Sequence, residues 1–142
     1  MFTIIFPVLN ERLRLESGVT RTVEYLQSIA FEDYEIIIVD NGSEDETPQI
    51  AENLCKKYDK VKYERINVRG VGAAFRRGVE VSHGDVVGYM DIDLSTNIRH
   101  LGEAIHLFET QPEIQYINGS RFARESDTRG RKWYRRITSQ GL

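Results

Sequence analysis

Short apolar runs that alternate with segments of helical periodicity constrain the fold of this chain more than any other feature. The runs FTIIFPVL, near the N-terminus, and YEIIIVD, which ends at Asp40, are typical of strands buried on both faces of a sheet. Residues 13–29 between them repeat apolar side chains at helical spacing. This alternation predicts an α/β fold whose mostly parallel sheet carries helices on both faces.

The alternation continues toward the C-terminus with less uniform strands. The segment VKYERI alternates apolar and polar side chains, which predicts a strand near an edge of the sheet. Residues 72–81 then have helical spacing, with Val79 predicted to face inward. The runs DVVGYMD and EIQYING predict a fourth strand, also buried, and a fifth strand.

The size and composition of the chain fit one globular domain, residues 1–142, that is long enough to bury a core. Apolar residues make up 40% and charged residues 29%, which is ordinary for a soluble protein. No stretch approaches the roughly 18 to 20 apolar residues of a membrane span, and no basic leader with a cleavage site begins the chain. The lone Cys55 excludes an intrachain disulfide, and together these features favour a cytoplasmic protein.

Basic residues are concentrated near the C-terminus. Residues 121–136 carry seven basic side chains against Glu125 and Asp127, a net charge of +5, whereas the rest of the chain carries −8. This asymmetry predicts an anionic partner for the basic segment, residues 121–142. A solvated helix face would have the same composition, so both interpretations remain open.

Three polar segments fall at the ends of predicted strands. They are residues 7–11, 40–43 and 91–93. In parallel sheets with helices on both faces, ligands bind beyond the carboxyl ends of the strands, and these ends lie along one edge. We therefore expect the three segments to converge on a single ligand site.

The stretch GYMDIDLST places Asp91 and Asp93 one residue apart. Two alternatives compete with a nucleotide site here: a calcium-binding loop and the active site of a phosphatase. A calcium loop of the EF-hand type requires Gly at its sixth position and Glu at its twelfth, where this chain has Thr96 and Gly102. Phosphatases of the haloacid dehalogenase type also have two such aspartates, one as nucleophile and one as general acid/base. Only 49 residues follow Asp93, however, and none after Asp127 is acidic. The calcium interpretation is rejected, and the phosphatase interpretation stays as an alternative.

A third interpretation uses both carboxylates as metal ligands. Side chains at positions i and i+2 of a strand point to one face, so Asp91 and Asp93 can approach the same ion. A hard divalent cation takes one or two carboxylates and completes its coordination with diphosphate oxygens and water. Such an ion offsets the charge that develops on a leaving nucleotide diphosphate.

Several motifs in their joint order resemble family 2 glycosyltransferases with the GT-A fold. In chain order these motifs are FPVLNE, IIIVDNGSEDET, RGVGAAFRRGVEVSHGD, GYMDIDLST and NGSR. Within the family, the chain is similar to the polyprenyl-phosphate (dolichyl-phosphate) glucose and mannose synthases. The resemblance implies a Rossmann-like GT-A sheet of the nucleotide-diphospho-sugar transferases. It also implies an inverting, metal-dependent hexosyltransferase that uses a UDP- or GDP-hexose and a polyprenyl phosphate.

The resemblance implies that the donor nucleotide binds along the strand ends. Pro7 and Glu11 would shape the exit of the first strand, where the family binds the nucleotide. Asp40 would accept hydrogen bonds from the base or ribose, and the alternative is that it caps the following turn. Gly70 and Gly72 would let the backbone approach the donor closely, or would simply form a turn between strand and helix.

The resemblance also implies the metal and acceptor sites. Asp91 and Asp93 would form a DXD motif that holds Mg²⁺ or Mn²⁺, with Asp91 also touching the nucleotide. Arg121, Arg135 and Ser139 would bind the phosphate of the lipid, and Arg121 would act with the two aspartates in catalysis. An anionic lipid phosphate needs no general base, and the planar Arg side chain suits its oxygens.

Members of this family usually continue beyond the point where this chain stops, at TSQGL. We therefore expect a single domain truncated at its C-terminus, and a nucleotide-sugar-binding fragment without turnover is the alternative function. A nucleotide-sugar, a polyprenyl phosphate and a membrane surface are the expected partners, and nucleic acid is not. The expected location is the cytoplasmic face of a membrane, with the protein bound peripherally.

Overall fold

The computed structural model describes residues 1–119, which form a four-stranded parallel sheet with four helices. The strands lie in the order β3-β2-β1-β4, and every paired neighbour is parallel. The elements in chain order are β1 Phe2–Val8, α1 Leu15–Ser28, β2 Tyr34–Asp40, α2 Thr47–Lys57, β3 Val61–Arg65, α3 Val71–Val81, β4 Val86–Tyr89 and α4 Arg99–Thr110. The predicted α/β class and the mostly parallel sheet are confirmed.

Helices cover both faces of the sheet, as the alternation predicted. Alternate residues of β1 and β2 face α1, α2 and α4 in the larger apolar core, which includes Phe6, Leu15 and Ile36, all fully buried. The other residues of the same strands face α3 in a smaller cluster around Ile5 and Ala74. Because β1 and β2 are buried on both faces, they need the continuous apolar runs that identified them.

The sheet has its reversal of strand order between β1 and β4. The chain passes from β1 to β2 and β3 in one direction, and α3 then carries it back across the sheet to β4. In open α/β sheets the crevice at such a reversal, outside the carboxyl ends of the strands, is the usual ligand site. The fold therefore directs attention to the carboxyl ends of β1, β2 and β4.

The edge position predicted for VKYERI is confirmed, since β3 pairs only with β2. The buried environment predicted for the fourth strand is wrong. Within residues 1–119, β4 pairs only with β1, its Val86 and Val87 are half-buried, and Tyr89 is 54% exposed. A strand at an edge has no neighbour to cover its outer side.

Two further predictions are wrong. EIQYING forms no strand within the described residues: Ile114 N–H donates to the Gln111 carbonyl at 3.0 Å in a turn, and Tyr116 is 78% exposed. Val79 is 43% exposed instead of facing inward. Helix α3 lies against the sheet through small residues, because the Ile5 side chain occupies the space that a Cβ on Gly78 would need.

None of the helices within residues 1–119 combines the length and apolar character that crossing a bilayer requires.

Candidate nucleotide site

The loops that follow β1 and β2 are joined by hydrogen bonds at the carboxyl edge of the sheet. The Asn10 N–H donates to Ser43 Oγ at 2.8 Å, and the Glu44 N–H donates to Asn10 Oδ1 at 2.9 Å. The Glu11 N–H donates to Thr47 Oγ1 at 2.9 Å, which ties the first loop to the start of α2. Two of the three polar segments found in the sequence therefore do converge.

Pro7 and Glu11 lie at the exit of β1, where the sequence placed them. Pairing of β1 with β2 continues to Val8 opposite Asp40, but pairing with β4 ends at Ile5 opposite Tyr89. Pro7 has no N–H to donate, so it suits a strand position where one neighbour departs.

Glu11 lies in the turn that precedes α1. The Arg14 and Leu15 N–H groups both donate to the Glu11 carbonyl at 2.9 Å. The Glu11 carboxylate accepts a hydrogen bond from Arg14 Nε at 2.8 Å, and its side chain is 20% exposed. Its contact with a nucleotide stays a prediction.

Asp40 is fully buried, and both of its carboxylate oxygens have partners within the protein. Oδ1 accepts the N–H groups of Gly42, at 3.1 Å, and Ser43, at 2.8 Å. Oδ2 accepts the Tyr63 hydroxyl at 2.7 Å and Arg65 Nη1 at 3.3 Å. Burial, and secondarily the hydrogen bond to Asp40, raises the pKa of Tyr63 to about 12, so that this hydroxyl stays protonated as a donor.

This geometry matches the alternative role considered for Asp40, which is to cap the turn after β2. Buried carboxylates are stable when charged groups and N–H donors satisfy them, and Asp40 has four such donors. A direct bond from Asp40 to the base or ribose stays a prediction, and this structure does not provide a free oxygen for it.

Asn41, the next residue, is the group at this edge that the sequence analysis missed. Its backbone N–H donates to the Val8 carbonyl at 2.9 Å, and the residue is 5% exposed. Within residues 1–119 its Oδ1 is the buried side-chain atom that accepts no hydrogen bond. An unsatisfied buried acceptor costs about 1–3 kcal/mol, so this oxygen is available for a donor group from a ligand or from water.

Gly70 and Gly72 flank the start of α3 on the same edge. Gly70 is the N-cap residue with φ at 133°, a conformation that favours glycine, and no atom lies within 4 Å of the position of a Cβ at either residue. Both glycines therefore leave open space beside the first N–H groups of the helix. Close approach of a donor phosphate here stays a prediction.

Asp91 and Asp93 lie in a turn after β4 and not on the strand itself, so the argument from alternate strand residues is wrong. The Leu94 N–H donates to the Asp91 carbonyl at 3.0 Å, and Leu94 has φ at 50°. Both aspartates are exposed, while Ile92 between them is 3% exposed and packs in the larger core. The turn brings both carboxylates to the surface by burying the residue between them.

The chemistry of this turn fits a hard divalent cation. Asp93 Oδ1 accepts the Ser95 N–H at 2.9 Å, which fixes one carboxylate. Within the described part of the chain, no three His, Cys, Asp or Glu side chains cluster in a way that could hold a metal. An ion here would therefore take at most these two carboxylates from residues 1–119, and such ions complete their coordination with phosphate oxygens and water.

The remaining predicted residues and a missed pair complete the site. Arg121, Arg135 and Ser139 lie outside the described residues, so the acceptor site stays a prediction. The sequence analysis also missed Tyr63 and Arg65, which bind Asp40 from β3. The available signal was their spacing, because residues two apart on a strand share a face.

Comparison with known families gives one match that extends over nearly the whole chain. The sequence profile of Glycosyl transferase family 2 matches residues 3–141. This match favours the glycosyltransferase interpretation of Asp91 and Asp93 over the phosphatase interpretation.

Individual proteins similar to this chain are longer than it is. Glycosyltransferase AglD of Haloferax volcanii is 35% identical over 122 residues, which cover 84% of this chain and 19% of that protein. The dolichol-phosphate mannosyltransferase of Pyrococcus furiosus is 31% identical over 139 residues, 98% of this chain and 38% of that protein. This chain thus spans less than half the length of either relative.

A solved structure supports the same fold. The chain superimposes on glucosyl-3-phosphoglycerate synthase from Mycobacterium tuberculosis, crystallised with Mn²⁺, UDP and glucosyl-3-phosphoglycerate, with a TM-score of 0.60. The identity is 23%, and the match covers 78% of this chain and 40% of that one. At this identity the likeness supports the GT-A fold and nothing about the substrate.

Proposed function

This chain belongs to glycosyl transferase family 2, and we propose that it forms the donor-binding part of an inverting, metal-dependent hexosyltransferase. The donor is a UDP- or GDP-hexose, and the acceptor is a polyprenyl (dolichyl) phosphate. The relative from Pyrococcus furiosus, whose name states transfer of mannose to dolichol phosphate, supports this acceptor class.

The observation that carries this proposal is the set of polar acceptors at the carboxyl edge of the sheet that are either buried without a donor in the described part of the chain or exposed to solvent. Within residues 1–119, Asn41 Oδ1 is buried without a donor, and the Asp91 and Asp93 carboxylates are exposed on one turn. Each of these groups accepts rather than donates. Together they suit a ligand that brings N–H or hydroxyl groups to one point and a cation to another.

A nucleotide-sugar with a divalent cation is such a ligand. The base or ribose supplies donors for Asn41, and Asp91 and Asp93 hold Mg²⁺ or Mn²⁺ against the diphosphate. When bound, the cation offsets the negative charge that builds up on the departing nucleotide diphosphate. Gly70 and Gly72 leave room at the start of α3 for the same diphosphate.

The acceptor side of the reaction rests on the basic segment, residues 121–142. A lipid phosphate is already anionic, so the chain needs to position it and need not deprotonate it. Arg121, Arg135 and Ser139 are proposed for this task, and the other basic residues of the segment would face anionic lipid head groups. Peripheral binding to a membrane surface follows from the same charges.

The test of the donor site is the dependence of nucleotide binding on metal. Wild-type protein is titrated with UDP and with GDP by calorimetry, each in Mn²⁺ and in EDTA. We expect one nucleotide to bind at least about tenfold more tightly with Mn²⁺, because the ion bridges its diphosphate to two carboxylates. Binding that is equal in Mn²⁺ and EDTA would contradict the metal site.

The variant Asp93→Asn isolates the charge. Its side-chain oxygen can still accept the Ser95 N–H, so the turn keeps its hydrogen bond while the metal loses a carboxylate. We expect this variant to lose the effect of Mn²⁺ and to keep the thermal unfolding temperature of wild type. The exposed Asp59, located between α2 and β3, provides the matched control as Asp59→Asn, which is expected to change neither property.

A further inference from the structure

Two side chains of β3 form hydrogen bonds to the last residue of the neighbouring strand β2. The Tyr63 hydroxyl donates to Asp40 Oδ2 at 2.7 Å, and Arg65 Nη1 donates to the same oxygen at 3.3 Å. Arg65 also donates from Nη2 to the Ser43 carbonyl at 3.1 Å. One guanidinium thus spans from the last residue of β2 to the third residue of the loop that follows.

The carboxylate of Asp40 transmits this restraint to the loop. Its other oxygen accepts the N–H groups of Gly42 and Ser43, so that Asp40 is bound to β3 on one side and to the loop on the other. Asp40 is 0% exposed, so these partners replace the hydrogen bonds that water would otherwise make to its oxygens. Loss of a β3 donor should therefore loosen the loop as well as the strand end.

Asn41 lies between the two fixed points. It follows Asp40 directly, its N–H donates to the Val8 carbonyl, and Gly42 after it has φ at 90°. Its side-chain carbonyl is the buried side-chain acceptor that has no hydrogen-bond partner among the described residues. The hydrogen bonds that fix residues 40 and 43 therefore decide where this acceptor lies.

We propose that Tyr63 and Arg65 are positioning residues for the donor nucleotide, which they orient by fixing residues 40–43 and hence the Asn41 carboxamide. The inference rests on the proposed nucleotide site and adds two residues that do not themselves touch the ligand. A ligand acceptor that is held in place before binding costs less conformational entropy when the ligand arrives.

The variant Tyr63→Phe removes one donor and keeps the ring. We expect UDP or GDP, whichever wild type binds, to bind about five- to twentyfold more weakly in Mn²⁺, because residues 40–43 are then less ordered before binding and the ligand must order them. The matched control is Tyr58→Phe, which removes a half-buried hydroxyl bonded to Thr20 Oγ1 at 3.5 Å between α2 and α1. It should leave nucleotide affinity unchanged.

Amide hydrogen exchange supplies a readout without any nucleotide. In Tyr63→Phe the Gly42 and Ser43 amides should exchange at least about tenfold faster, while the amides of α1 keep their protection. If wild type binds neither nucleotide, the proposed function fails, and the exchange data still decide whether β3 holds the loop.

The variant Arg65→Lys is the second arm, for the case that Tyr63→Phe folds poorly. Lysine keeps the charge but lacks the planar fork that reaches Asp40 and Ser43 together. We expect weaker nucleotide binding and faster exchange at Ser43, with an unfolding temperature close to that of wild type because Arg65 is 44% exposed. Unchanged affinity and unchanged exchange in both variants would overturn the inference.

Discussion

Strand β2 carries a buried carboxylate at each end. The two ends of the sheet differ in whether the polar groups around that carboxylate all have hydrogen-bond partners. Glu35, at the amino end, is 4% exposed, and Asp40, at the carboxyl end, is 0% exposed. Each one binds groups from both neighbouring strands or loops. Considered alone, each hydrogen-bond network would be expected only to stabilise the fold.

The amino end is closed. Glu35 accepts hydrogen bonds from Thr3 Oγ1 at 2.7 Å, Lys62 Nζ at 2.7 Å and the His83 N–H at 2.6 Å. Thr3 Oγ1 in turn accepts the Gly84 N–H at 3.0 Å. These bonds join β1, β2, β3 and the connection from α3 to β4. Within residues 1–119, no buried side-chain atom there lacks a partner.

The carboxyl end is satisfied at Asp40 and incomplete around it. Asn41 Oδ1 has no partner among the described residues, and Asp91 and Asp93 face solvent. Stability alone does not account for an unsatisfied buried acceptor beside two exposed carboxylates, because buried polar groups normally have hydrogen-bond partners. The contrast is that the buried carboxylate at each end of β2 is satisfied, whereas the carboxyl edge also carries a buried acceptor without a donor among residues 1–119 and two exposed carboxylates.

The largest effect is expected from Asp40→Ala. It leaves the Tyr63 hydroxyl and two loop N–H groups without their acceptor, at about 1–3 kcal/mol of unfolding free energy for each donor that stays buried, while the partly exposed Arg65 can turn to solvent. Urea unfolding measures the loss, and nucleotide binding should fail as well.

The matched control for Asp40→Ala is Asp45→Ala in the same loop. Asp45 also accepts backbone N–H groups, from Thr47 at 2.9 Å and Arg12 at 3.3 Å, but it is less buried. Its loss of stability should be much smaller. Equal losses in the two variants would mean that the buried network at Asp40 has no special weight.

An acid-dependent effect is expected at the amino end. Burial alone would raise the pKa of Glu35, but the hydrogen bonds from His83, Lys62 and Thr3 together outweigh it and lower the pKa from 4.5 to about 2. A lowered pKa stabilises the folded state above the unfolded value, and that stability is lost as pH falls from about 4.5 to about 2. The amount is on the order of 3 kcal/mol.

Glu35→Gln tests this effect and separates the two ends. The variant should be less stable than wild type at pH 7, and the difference should nearly vanish at pH 2, as measured by urea unfolding at each pH. Its affinity for UDP or GDP at pH 7 should equal that of wild type, since Glu35 lies at the opposite end of β2 from Asn41. Weaker nucleotide binding would break the distinction between a structural end and a functional end.

The sequence predicted the parts of this comparison that depend on local pattern. The apolar runs identified β1 and β2 because both strands are buried on two faces, and the loops that carry the polar residues at their ends do meet, as expected. The partners of Asp40 were not predicted, because Tyr63 and Arg65 lie 23 and 25 residues further along and meet it only when β3 pairs with β2.

The turn at Asp91 was missed for a related reason. Periodicity extends a strand through Met90 and Asp91, but pairing with β1 ends at Ile5, whose carbonyl accepts the Met90 N–H, and the chain then leaves the sheet. What then fixes the turn is a contact with α1 that no local pattern reveals. The predicted strand EIQYING is absent from residues 1–119 for a similar reason. A period-two pattern becomes a strand only if the segment pairs with another strand, and the local sequence does not show whether it does.

That contact is between Ile92 and Gly18. Ile92 is 3% exposed, and a Cβ on Gly18 would overlap the Ile92 carbonyl oxygen and side chain. Glycine inside a helix is normally unfavourable, by about 1 kcal/mol relative to alanine. Gly18, in the first turn of α1, is therefore explained by the room it gives to the Asp91–Asp93 turn.

The smallest expected effect on stability, but a specific one on the site, comes from Gly18→Ala. Overpacking costs about 1–3 kcal/mol and the better helix propensity of alanine offsets part of it, so the unfolding free energy should fall by only about 1–2 kcal/mol. Because the nearest obstacle is a backbone oxygen, the turn must move, and calorimetry should show that Mn²⁺ no longer tightens nucleotide binding while affinity in EDTA is unchanged. Gly78→Ala makes the same substitution on α3 against the Ile5 side chain, on the face of the sheet opposite α1 and Ile92, and should cost similar stability while keeping the effect of Mn²⁺. If Gly18→Ala also keeps that effect, the buried Ile92 does not set the geometry of the two aspartates, and the exposed half of the site is placed by other contacts.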